Sequence, residues 1–138
     1  MQVDVFAASR RAVLEEAGGV TAEGFPMTSC LVESFPTQIT IPLVLGVHTT
    51  GGTDYEMRRF IIAKSPEGER MGLLDFAWQW PDNPGTPVKF RVFAHYLSIS
   101  VYFAGVYTVG LYEDPEDEPE VEFPLPILRL NPLTGTAN

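Results

Sequence analysis

Apolar and polar residues alternate along most of this 138-residue chain, and a period of two is what a strand with one buried face requires. The cleanest run is Ile39-Thr40-Ile41-Pro42-Leu43-Val44-Leu45-Gly46-Val47, whose odd positions are all aliphatic and belong on a core face. Pro42 lacks an N–H, so this strand lies at a sheet edge there or carries a bulge. Gln2 to Ala8 is apolar enough for a first strand, and Met27 to Glu33 supplies another. Met57 to Lys64 and Arg70 to Trp80 read as a hairpin joined by Ser65-Pro66-Glu67-Gly68. Proline presets φ at the first central position of that turn, and glycine accepts the left-handed one. On the return strand Leu74, Phe76, Trp78 and Trp80 share a face. Val88-Lys89-Phe90-Arg91-Val92 alternates again and reads with its cations outward.

Three further runs complete the pattern. Leu97 to Val101 leads to a corner at Gly105, Tyr107 to Tyr112 follows, and Val121 to Leu130 comes last with Val121, Phe123, Leu125 and Ile127 on one face. Pro124 and Pro126 are two apart, so their missing N–H groups lie on one side of the backbone. That side cannot pair over this span, which predicts a sheet edge. Twelve prolines and twelve glycines punctuate the chain, and Thr49 to Asp54 and Pro81 to Pro87 are loops. The one helix candidate is Arg10 to Ala17, capped by Ser9 and ended by Gly18-Gly19. Val13 and Leu14 are its only large apolar residues, so a hairpin fits nearly as well. Eight or nine strands with short turns and no alternation with helices predict an all-β antiparallel sandwich with a short N-terminal helix at most. Residues 1–132 are expected to form one domain, and 133–138 a flexible C-terminal tail.

The segment Leu97-x-Ile99 followed by Gly105-x-Tyr107-x-Val109 resembles the E–F corner of immunoglobulin-like domains, with valine in place of the strand F cysteine. The wider pattern, about residues 39–130, is similar to immunoglobulin-like domains of unknown function in bacteria and their phages. The resemblance implies a sandwich in which the Tyr107 hydroxyl bonds backbone a few residues upstream. It also implies a core tryptophan, either Trp78 or Trp80. It departs from the family in lacking a disulfide and the aspartate usual before the glycine. It carries no catalytic motif, so it speaks to fold and hardly to function.

Composition narrows the picture. Hydrophobic residues make up 45% of the chain and charged residues 20%, enough to bury a core without metals or disulfides. Eighteen acids against nine Lys and Arg leave a net charge of −9. That balance disfavours nucleic acid, whose affinity depends on phosphate neutralisation, and anionic membrane surfaces. The start has no cationic leader, and no apolar run approaches the ~20 residues of a spanning helix. A cytoplasmic or virion-associated protein is expected.

Candidate chemistry is sparse. Cys30 is the one cysteine and reads as a small buried hydrophobe rather than a nucleophile. The two histidines, His48 and His95, fall short of a metal ligand set, and no cofactor is implied. Glu113 to Glu122 holds seven carboxylates in ten residues. It has two prolines and no glycine where a Ca²⁺ loop needs one, so it reads as a solvated hairpin loop. No phosphate loop or nucleophile elbow occurs. The aromatics are more suggestive: Trp78, Trp80, Tyr96, Tyr102 and Tyr112, with Phe103, exceed what a small core comfortably hides. They form either core or a binding platform. The expected role is non-enzymatic, an interaction or assembly module working through a protein partner or self-association, with phage association as one setting. A carbohydrate- or small-ligand-binding module on that aromatic face is the first alternative. A small hydrolase without a recognisable motif is the second.

Overall fold

A computed structural model describes residues 1–51, 56–81 and 85–131. Ten strands and no helix lie among them: β1 (Gln2–Ala8), β2 (Arg11–Leu14), β3 (Val20–Glu23), β4 (Cys30–Val32), β5 (Thr37–Thr50), β6 (Met57–Lys64), β7 (Arg70–Trp78), β8 (Val88–Val101), β9 (Gly105–Tyr112) and β10 (Val121–Arg129). A three-stranded sheet, order β1-β5-β8, faces a five-stranded sheet, order β4-β10-β9-β6-β7, and β2 pairs with β3 alone. All ladders are antiparallel except β4 on β10. The expected all-β chain is therefore observed, with ten strands rather than eight or nine.

Both inner faces follow the alternation. Ile39 and Ile41 of β5 face Ile99 and Leu97 of β8 across the ladder, and Leu43, Leu45 and Val47 continue the same inner face opposite His95, Phe93 and Arg91. Ile61, Tyr107, Val109, Leu111, Leu125 and Ile127 face them from the other sheet. Burying a large aliphatic side chain is worth about 1.5–3 kcal/mol, so this shared layer is the main stabilising element. The sheets approach each other at both margins. Phe6 of β1 touches Phe123 of β10 edge to face, with ring centroids 5.1 Å apart. At the opposite margin β7 meets β8 so closely that a Cβ on Gly72 would stand 2.5 Å from the Ser98 carbonyl oxygen. The corner after β8 is closed by Tyr107, fully buried, whose hydroxyl donates to the Phe103 carbonyl at 2.8 Å.

Four local expectations are corrected. Arg10 to Ala17 is no helix: β2 and β3 form a hairpin, turned at Gly18 and Gly19 with φ of 104° and 81°. A helix there would bury two large side chains, whereas the hairpin lets Ala12, Leu14, Val20 and Ala22 share one face. The last strand is not an edge throughout. Over Val121–Pro126 only β9 pairs with it, as the prolines require, but past Pro126 β4 joins at Ile127–Arg129. Leu97–Val101 is not a separate short strand but the end of one fourteen-residue strand beginning at Val88. On that strand Lys89 is buried and Phe90 exposed, the reverse of the expected phase. Pro42 lies where β1 ends: Ala8 pairs with Leu43, and the Ser9 N–H then bonds the Pro42 carbonyl. β5 is open on that side from there on, as a missing N–H demands. The proposed tail, 133–138, lies outside the described residues, as do parts of the two loops, 52–55 and 82–84.

Two substitutions test this frame. Tyr107→Phe removes one buried hydrogen bond and is expected to cost about 1 kcal/mol in urea unfolding, with the slope unchanged. Gly72→Ala forces the β7–β8 margin apart and is expected to cost more, about 2 kcal/mol or above. A Gly72→Ala protein as stable as the parent would show that the margin is not closed by backbone contact.

Candidate functional site

The five aromatics of the expected platform do not converge. Trp78 and Trp80 are buried, packed edge to face at 5.9 Å. Tyr112 is buried on the outward side of the five-stranded sheet, with the Lys64 ammonium 5.2 Å from its ring centroid. Arg70, bonded to the Pro115 carbonyl and to Glu116, and Arg59, paired with Glu120, hold the acidic loop 113–120 to the same sheet. Tyr102 is 60% exposed next to the corner, and Tyr96 is exposed on the other sheet, its hydroxyl donating to the Ala12 carbonyl at 3.2 Å. The apparent excess of aromatic residues is absorbed at the β7–β8 margin, where Phe76, Trp78, Phe93 and His95 fill the space between the sheets.

The histidines are also apart. His95 lies on the inward phase of β8, its ring 4.5 Å from that of Phe76 and 5.0 Å from Phe93. Its Nε2 is buried without a hydrogen-bond partner, as is the Trp78 Nε1. Burial among apolar rings pushes the imidazole pKa below its ordinary 6.5. His48 faces outward from β5, with Nδ1 at 2.7 and 2.8 Å from the two carboxylate oxygens of Asp4. Cys30 is half-buried on β4, and desolvation raises its thiol pKa, which works against a nucleophile. Among the described residues no group of three or more His, Cys, Asp or Glu is arranged to hold a metal, and no helix is long and apolar enough to cross a membrane.

What the structure does bring together is an apolar outer face on the three-stranded sheet. The β5–β8 ladder pairs Val44 with Ala94, Gly46 with Val92 and His48 with Phe90 on that side. Phe90 is 60% exposed, its ring 5.5 Å from that of His48. The β2–β3 hairpin lies across part of this face, anchored by buried Ala12 and by the Tyr96 bond. It leaves a groove of about 540 Å³ lined by Val5, Val20, Ala22, Gly24, Phe25 and Val44. Beside it, Arg10, Phe25 and Met27 line a smaller recess of about 280 Å³. None of this was marked by sequence reasoning, although the signal existed. No breaker separates Val88 from Val101, so the inward parity of Leu97 and Ile99 runs back to Lys89 and turns Phe90 outward.

Family models, curated proteins and solved structures give no match to this chain.

His95 makes stability pH-dependent with a defined sign. Its folded pKa is below the unfolded value, so the contribution of the neutral ring is complete above about 6.5 and is lost as pH falls below that value. His95→Phe is expected to flatten the difference in urea midpoint between pH 7.5 and 5. An unchanged pH dependence in that variant would place the titrating group elsewhere.

Proposed function

We propose that the chain is an immunoglobulin-like sandwich acting as a non-enzymatic interaction module. Strand order supports the fold. Immunoglobulin sandwiches pair strands A, B and E in one sheet and C, F and G in the other. β1, β5 and β8 follow the first order, and β6, β9 and β10 the second. β7 lies beside β6 as C′ lies beside C in variable domains. The Tyr107–Phe103 bond supports it further, since a corner tyrosine of this kind recurs in such sandwiches. Val109 packs in the core where those domains carry a cysteine, and both tryptophans lie on or just after β7 rather than on β6.

One observation carries the functional reading: the exposed Phe90 ring and, on the same outer face, the apolar groove at Val5, Val44 and Phe25. Exposed contiguous apolar surface is costly in water and marks contact sites. Aromatic anchors with a neighbouring pocket are where binding energy concentrates. The carbohydrate platform loses its basis, because three of its five residues are buried. The hydrolase reading gains nothing from two histidines on opposite sides of one sheet.

An environment-sensitive apolar dye tests the surface itself. Native protein is expected to enhance dye fluorescence, and Phe90→Ser to remove most of that gain with the circular dichroism unchanged. Tyr102→Ser, equally exposed but distant, should leave the gain intact. A signal insensitive to Phe90→Ser would mean that this face is not the contact surface.

A further inference from the structure

We propose that the outer face of β1, β5 and β8 is a self-association surface on which two copies of this chain pack face to face. The proposal rests on the interaction reading above and names the partner.

Charge favours a second copy. The molecule carries −9 overall, so two copies repel each other over most approaches. The outward positions of the three strands are the exception. Asp4 is the only carboxylate among them, and it is paired with His48. Lys89 and Arg91 belong to the inward phase of β8, where Lys89 is buried and Arg91 exposed, so neither extends from the outer side of the sheet. The hairpin that crosses this face sets Arg10 and Arg11 against Glu15, Glu16 and Glu23, with Arg11 opposite Glu23 in its ladder. The other sheet differs: its outer side bears the Arg58–Asp75 pair and the loop of Glu113 to Glu120. A cationic partner would find a single carboxylate on these strands, that of Asp4, and a second acidic copy meets no other acid on them.

Shape favours it as well. The face holds a knob, Phe90, and a groove bounded by Val5, Val44 and Phe25. Four residues of strand separate Val44 from His48, the partner of Phe90, so knob and groove lie about 14 Å apart. A two-fold interface requires that if one residue contacts another, the reverse contact also forms. A knob and a groove on one face of the molecule meet that requirement. Turning one copy about an axis near the Gly46–Val92 pair seats each Phe90 in the other copy's groove. Because both features share a face, the arrangement closes at two copies and does not propagate.

Light scattering across a concentration series, with defined variants, decides the matter. The parent is expected to reach twice the 15.3 kDa chain mass. Phe90→Glu and Phe25→Glu should each weaken the dimer at least about tenfold, with folding checked by circular dichroism. Leu73→Glu, an exposed site on the other sheet, should leave the dimer unchanged. Added salt should leave or strengthen association, since it screens the net repulsion. A dimer that survives Phe90→Glu overturns the assigned face. A dimer lost with Phe90→Glu but indifferent to Phe25→Glu overturns the knob-and-groove pairing. A parent that stays monomeric overturns self-association altogether. In that case Phe90-dependent dye binding would leave the interaction reading standing with a different partner, and its absence would remove both.

Discussion

The structure depends on the parity of one long ladder. β5 and β8 pair without interruption from Thr37↔Val101 to Thr50↔Val88. A period-two chain cannot change which face it presents without a bulge or a break. Leu97, Ile99 and Val101 must point inward, because they complete the core with Ile41, Leu43 and Tyr107. Every even residue back to Val88 must then point outward. Phe90 is exposed for this reason, although an outward phenylalanine is locally unfavourable. The energy of the shared core, several large aliphatic side chains at about 1.5–3 kcal/mol each, outweighs the preference of a single ring. Lys89 and Arg91 are displaced onto the core phase by the same constraint. Lys89 is buried, and Arg91 lies with its guanidinium 5.5 Å from the Phe93 ring centroid. A lysine or arginine tolerates such a position because its methylenes pack while its charged end reaches outward.

This constraint also marks where the sequence was legible. Strand existence was readable wherever alternation was clean, and the Tyr107 hydrogen bond was implied by the resemblance of Gly105-x-Tyr107-x-Val109 to an immunoglobulin-like corner. The prolines at 124 and 126 were read correctly as a local block on pairing, but a local block does not make a whole strand an edge. β4 attaches where N–H groups resume, at Ile127. The hairpin at 11–23 was half legible: Gly18-Gly19 announced a reversal, but four residues per strand leave too little periodicity to separate helix from strand. The phase of Val88–Val92 failed for a different reason. Read alone, that pentapeptide is an amphipathic strand with charged residues out. Only its covalent continuity with Leu97–Val101 reverses the assignment.

The candidate site was illegible from composition for a related reason. Counting aromatics suggests a surplus, and the count alone leaves Trp78, Trp80, Tyr96, Tyr102 and Tyr112 open between core and a binding platform. The sandwich uses the large rings at the β7–β8 margin, where the backbones touch at Gly72 and Ser98. Further along the same two strands Phe76, Trp78, Phe93 and His95 pack together with ring centroids 4.5 to 5.5 Å apart. The price is two buried ring nitrogens without partners, on Trp78 and His95. Each unpaired polar atom costs about 1–3 kcal/mol. The packing of the rings must exceed that cost for the margin to hold.

Charge placement then separates the two outer faces. The five-stranded sheet covers its outward Ile62 and Tyr112 from within the chain: Pro119 of the acidic loop lies over Gly110 and Tyr112, and Arg59 and Arg70 tie the loop down. The three-stranded sheet receives only the small β2–β3 hairpin, whose inner residues include two alanines. Small side chains let the hairpin sit close at Ala12 and Tyr96 but cannot fill the space toward Val5 and Val44, and the groove is the volume left over. One sheet therefore solves the exposure of its outer face internally with a charged lid, and the other leaves its outer face, with Asp4 the one carboxylate on its strands, only partly covered. In a chain of net charge −9, the partly covered face is the one on which a copy of the same acidic molecule meets the least repulsion.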